Sequence, residues 1–163
     1  MLKFNIIGTI FGYTGYDSHT RQLAKALYEI TNGNVRLDVN KVPGWERFVN
    51  DAELNMLTKE FEHDYITIMI TQPQFWRLGI ADNPSMFIGF CVWEGDKVPK
   101  YWEPYLKDKR VDMIFVPSMH TKEAILNTFN SKEISDKIHI IPHGVDLNIF
   151  SPKTEAKDND CLL

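Results

Sequence analysis

Hydrophobic and polar positions along this chain switch repeatedly between two periods. Residues 3–8, KFNIIG, form a short apolar run of strand character. Residues 18–31 instead place Leu23, Leu27 and Ile30 on one face, with Arg21, Gln22, Lys25 and Glu29 elsewhere, which is the spacing of an amphipathic helix. Asn32, Gly33 and Asn34 stop that helix, and VRLDV at 35–39 alternates apolar with polar side chains as a strand does. The alternation then repeats. After Pro43 and Gly44, residues 46–62 carry Phe48, Leu54, Leu57 and Phe61 at helical spacings, and YITIMIT at 65–71 is rich in the β-branched residues of a buried strand. SMFIGFCVW at 85–93 reads as a fourth strand, residues 100–109 as a short helix carrying Trp102, and VDMIFVP at 111–117 as a fifth strand. SMHTKEAILNTF follows as a helix, with Ser118 as its N-cap, Thr121 and Glu123 in its first turn, and Ile125, Leu126 and Phe129 as its buried stripe. KIHIIP at 137–142 is the last strand, ended by Pro142 and Gly144.

Strands alternating with helices imply a mostly parallel sheet with right-handed crossovers and helices on both faces, an α/β fold of Rossmann type. At 163 residues the chain can bury one sizeable core. The expected organisation is therefore a single Rossmann-like domain over residues 1–150, followed by a polar tail, SPKTEAKDNDCLL, at 151–163. No internal repeat or low-complexity segment interrupts it.

Between the first strand and the first helix the chain places Gly12 and Gly15 among tyrosines and hydroxyls, in IGTIFGYTGYDSHTRQLAKAL. In open α/β sheets ligands bind outside the carboxyl ends of the strands, where this loop lies. Glycines let the backbone turn sharply and let a ligand approach main chain, and the N–H groups opening the next helix favour an anion. Asp17 or Ser18 is the expected N-cap. Glycine spacing alone equally fits a loop that merely turns the chain. The spacing is not the dinucleotide fingerprint G-x-G-x-x-G, and no G-K-S/T follows. Hydride transfer and P-loop hydrolysis both lose ground, and Asp38 alone is thin support for a ribose pocket.

Composition narrows the classes further. A hydrophobic fraction of 44% with 25% charged residues is ordinary for a folded globular chain. A formal net charge of -4 argues against affinity built on neutralising nucleic-acid phosphates. Cys91 and Cys161 form no C-x-x-C pair, so neither a disulfide framework nor a zinc ribbon is expected, and a reducing cytoplasm fits. No run reaches the roughly 18 apolar residues that span a bilayer, which leaves peripheral membrane contact open. The five histidines show no H-x-x-x-H pair with a third ligand, so no metal site is expected. No pair of carboxylates stands out that would support the two-acid geometry of a glycoside hydrolase.

The later loops carry the more specific pattern. VWEGDKVPKYW follows the fourth strand, VDMIFVPSMHTKEAIL contains the fifth, and KIHIIPHGVDLNIFSP leaves the sixth. Together with GYTGYDSHTRQLAKAL, these segments resemble, in order and spacing, the acceptor-side half of glycosyltransferase family four, retaining enzymes of the GT-B fold. The run P-H-G-V-D-x-x-x-F-x-P is the most specific, since it is similar to the family's exit toward a second domain. The resemblance covers residues 3 to about 152.

That resemblance implies two Rossmann-like domains facing each other across a cleft; the first holds the acceptor, and the second binds the nucleotide of an activated sugar. The donor-binding half would begin just after Pro152, so this chain corresponds to the acceptor side. It would transfer a sugar, with retention, only when completed by a donor-binding domain or subunit. The implied partners are a sugar or glycoconjugate acceptor and that second domain, with a nucleoside diphosphate sugar as donor, no further cofactor and no metal. Gly12 and Gly15 resemble the family's glycine loop. Asp17 stands where relatives often have a small residue, which places a carboxylate beside an expected diphosphate or directs it at an acceptor hydroxyl. Tyr13 and Tyr16 can stack on a sugar face, and Arg21 can reach an anion in the cleft. Trp93 replaces a histidine that touches the transferred sugar in many relatives, and Glu94 beside it is an acceptor for hydroxyls. His143, Gly144 and Asp146 resemble the interdomain hinge. The competing reading is a non-catalytic Rossmann-like binding or assembly module.

Overall fold

In the computed structural model of the chain, residues 2–39 and 51–145 are described. Six strands form one sheet: β1 (Phe4–Ile7), β2 (Val35–Asp38), β3 (Ile66–Ile70), β4 (Met86–Phe90), β5 (Met113–Val116) and β6 (Ile138–Ile140). Every neighbouring pair is parallel, in the order β2-β1-β3-β4-β5-β6. The Rossmann-like α/β fold read from the alternation is the fold observed. β2 lies on one side of β1 and β3 on the other, so the winding reverses between β1 and β3. In open α/β sheets such a reversal, at the carboxyl ends of the strands, is where ligands bind.

Among the described residues six α-helices accompany the strands: α1 (Gly15–Ile30), α2 (Asp51–Thr58), α3 (Arg77–Ile80), α4 (Glu103–Leu106), α5 (Met119–Phe129) and α6 (Lys132–Lys137). Short 3₁₀ turns at Pro73–Phe75 and Lys100–Trp102 lead into α3 and α4. Two apolar clusters cover the two faces of the sheet. One gathers Trp76, Phe87, Trp102, Leu106, Ile114 and Ile125 beneath α3, α4 and α5; the other gathers Ile6, Ala24, Met56, Ile68, Ile88 and Phe90 beneath α1 and α2. The near-continuous apolar strands β3 and β4 are those buried on both sides.

Several expectations need correction. The first helix opens at Gly15 rather than residue 18, and its N-cap is Thr14, not Asp17 or Ser18. Asp17 instead occupies the third helical position of a capping box. Ile30 is 77% exposed, because the inward stripe of α1 runs through Asp17, Thr20 and Ala24 to Thr31, one residue out of phase with it. Phe61 lies beyond the end of α2, and Phe48 lies outside the described residues. The fourth strand stops at Phe90, so Trp93 and Glu94 belong to the following loop. Helices α3 and α6 were not expected. At four and six residues they are too short to build a periodic apolar face. Ser118 does cap α5, accepting from the Thr121 N–H at 3.3 Å.

Candidate functional site

The residues singled out along the sequence fall into three groups at the carboxyl edge of the sheet. The first is the loop after β1. Asp17 is 3% exposed and turned back into this loop, where one carboxylate oxygen accepts from the Gly12 N–H at 2.8 Å. The other accepts from the Thr14 N–H at 3.1 Å and from the Thr14 hydroxyl. From the outer side Arg21 donates to the carbonyl oxygens of Ile10 and Gly12, the latter at 3.0 Å. Burial pushes the Asp17 carboxyl up, but the hydrogen bonds from Thr14, Gly12 and Thr9 together outweigh it and hold the group below the usual 3.8. The side chains of Asp17 and Arg21 are thus spent on shaping the loop. The amides that would cradle an external anion at Gly12 and Thr14 already hold an internal carboxylate. Gly15, by contrast, stands at the helix start with nothing within 4 Å of where a Cβ would lie, and Tyr13 is 78% exposed at the rim.

The second group joins α1 to the loop after β4. The Tyr16 hydroxyl donates to the Val92 carbonyl at 3.4 Å, and its pKa is raised above 10.0, chiefly by burial. The charge of the Glu94 carboxylate adds a little to that rise. Two residues of the first turn of α5 fasten this loop: a ring nitrogen of His120 pairs with the Glu94 carbonyl at 3.1 Å, and the Thr121 hydroxyl donates to the Trp93 carbonyl at 3.2 Å. Trp93 itself closes the loop. Its indole N–H donates to the Lys97 carbonyl at 2.8 Å, and its ring meets Trp102 edge-on at 5.0 Å. In this group Glu94 is exposed and Tyr16 half-buried.

The third group is made of rings. His19 and His143 stack with centroids 4.3 Å apart, and both lie against Phe90 at the end of β4. Burial, then the neighbouring His143, pull the pKa of His19 down to about 4. Gly144 is open to solvent beside it, and Asp146 lies outside the described residues. At the reversal point, Gln74 donates to the Gln72 side-chain oxygen at 2.6 Å, leaving its own amide oxygen buried without a partner.

Sequence reading did not assign roles to Thr14, His19, His120 or the two glutamines. Thr14-x-x-Asp17 was a legible capping signature. The pairing of His19 with His143 carries no local signal at all. Among the described residues no cluster of three or more His, Cys, Asp or Glu can hold a metal ion, and no helix is long and apolar enough to cross a membrane. No protein-family model matches the chain, and no curated protein or solved structure is significantly similar to it. What the arrangement offers chemically is a set of neutral and acidic hydrogen-bonding groups on a rigid edge. Such a set suits hydroxyl-rich ligands better than anions.

Proposed function

We propose that this chain is the acceptor-binding half of a retaining glycosyltransferase of the GT-B type. It would transfer a sugar from a nucleoside diphosphate sugar once a donor-binding domain completes the cleft. The observation that carries this reading is the Tyr16 hydroxyl bound to the Val92 carbonyl in the loop after β4, at the carboxyl edge of a parallel sheet, with Glu94 exposed two residues further along that loop and Gly15 unobstructed before Tyr16. Glu94 would accept from acceptor hydroxyls, Tyr16 would orient them, and Tyr13 would stack on a sugar face. Lowering of the barrier would come from positioning the acceptor against the donor. The groups neutralising the departing diphosphate would come from the second domain, since Arg21 is committed to loop carbonyls.

Saturation-transfer NMR with a panel of neutral mono- and disaccharides tests the binding step. Contact is expected in the wild type and loss in Glu94→Gln and Tyr16→Phe; failure of every sugar to bind at millimolar concentration would remove the reading. With a nucleotide-binding α/β partner and a sugar donor added, transfer is expected, and Gly15→Val should abolish it.

A second reading has its own observation. Phe75, Leu78 and Tyr101 are 50%, 62% and 58% exposed on neighbouring elements of the opposite face, the apolar display of an assembly module. Analytical ultracentrifugation separates the two: a self-associating chain that binds no sugar would favour assembly.

A further inference from the structure

Three rings at the carboxyl ends of adjacent strands form a lateral row. Phe90 pairs in register with Phe115, and Phe115 with His139, with centroids 6.3 and 6.1 Å apart. His19, on α1, lies 4.4 Å from the Phe90 ring; His143, three residues past the end of β6, lies 5.9 Å from it. β6 and β4 are separated by two strand spacings, about 9.6 Å. Three extended residues reach about 10 Å. The segment leaving β6 is thus long enough to bring the His143 ring to Phe90 and His19. Its last backbone bond to the sheet runs from the Ile141 N–H to the Val116 carbonyl at 2.8 Å. Ile141, which makes that bond, and Val145 are 41% and 64% exposed, and between them His143, also exposed, makes the ring contacts.

We propose that His19 and His143 form a proton-controlled latch that holds the segment after β6 against α1 at neutral pH and releases it in acid. Neutral imidazoles stack on each other and on Phe90. A proton on His19 places charge beside an apolar ring while the Nε2 atom is buried without a partner, and a second proton on His143 adds a like charge 4.3 Å away. Burial lowers the pKa of both histidines, and for His19 the neighbouring His143 lowers it further. Other groups lie on the elements packed around the pair. On α1, the Tyr16 hydroxyl is shifted above 10.0, Asp17 is shifted below 3.8 and turned into its loop, and Arg21 is bound to carbonyls. Just past β4, the Cys91 thiol is pushed up to about 12 by burial; β5 contributes Phe115 and β6 contributes His139. The latch does not depend on which ligand the site takes.

NMR on the full chain tests it. Between an open-state pKa near 6.5 and a latched value of about 4, the released population should grow roughly tenfold per pH unit. In the wild type, the ring contact between His19 and His143 should be seen at pH 7.5 and lost by pH 5. Backbone order parameters of residues 143–145 should fall from about 0.85 to below about 0.6 over the same range. His19→Phe keeps a ring but gains no proton, so the segment should stay ordered at pH 5; His143→Phe serves the same end if the first variant does not fold. A segment equally ordered at both pH values in the wild type, or one that loosens alike in the phenylalanine variant, overturns the latch.

Discussion

The Gly12 N–H donates to the Asp17 carboxylate at 2.8 Å, and a Cβ on Gly12 would come to 2.5 Å from that same carboxylate. The glycine exists because the aspartate fills its space. The loop after β1 is therefore a knot tied by its own side chains, with Thr14 capping α1 and Arg21 drawing in two carbonyls.

Gly12→Ala should lower stability by about 1–3 kcal/mol, the usual result of overpacking. Gly15→Ala should leave stability within about 0.5 kcal/mol of the wild type, because its Cβ meets nothing within 4 Å. Urea unfolding of the pair checks the contrast, and equal losses would contradict the knot.

Asp17→Asn should cost about 1–3 kcal/mol, since three donors lose a charged acceptor. The sign with pH comes from a folded pKa held below 3.8. The ionised group stabilises fully above its unfolded value, and that contribution fades as the pH falls through the folded one. The wild type should thus lose its advantage over Asp17→Asn below about pH 4. An advantage constant down to pH 2 would place the effect elsewhere.

Gly89→Ala pushes a methyl group into the indole ring of Trp76, which is 1% exposed beneath α3. A loss of about 1–3 kcal/mol is expected, with a change in buried tryptophan fluorescence. An unaltered spectrum and midpoint would mean that Trp76 has room to move.

Thr67→Val tests a polar group in the wrong place. The Thr67 hydroxyl is fully buried without a partner, next to the equally buried amide nitrogen of its register neighbour Asn5. Removing it should be neutral or stabilising by up to about 1 kcal/mol. A loss beyond that would show that the hydroxyl has a hidden partner.

Sequence periodicity located all six strands and the longer helices, since burial of one face requires the spacing it prints on the chain. It missed α3 and α6, where one helical turn leaves too few positions to show a period. The loop after β1 was legible as a site of close backbone approach. That the approaching group is the chain's own Asp17 was not, although Thr14-x-x-Asp17 hinted at it.

By itself, the sequence determined the alternation of strand and helix, the mostly parallel sheet that such alternation implies, and the helix cap at Ser118, because each depends on residues a few positions apart. Only the tertiary structure decided that Trp93 and Arg21 are tied into loops, that Tyr16 meets the loop after β4, and that His143 rests on His19. Those contacts join residues far apart along the chain or turn on where a side chain points. Folding fixes them through the strand order of the sheet, and no local pattern records it.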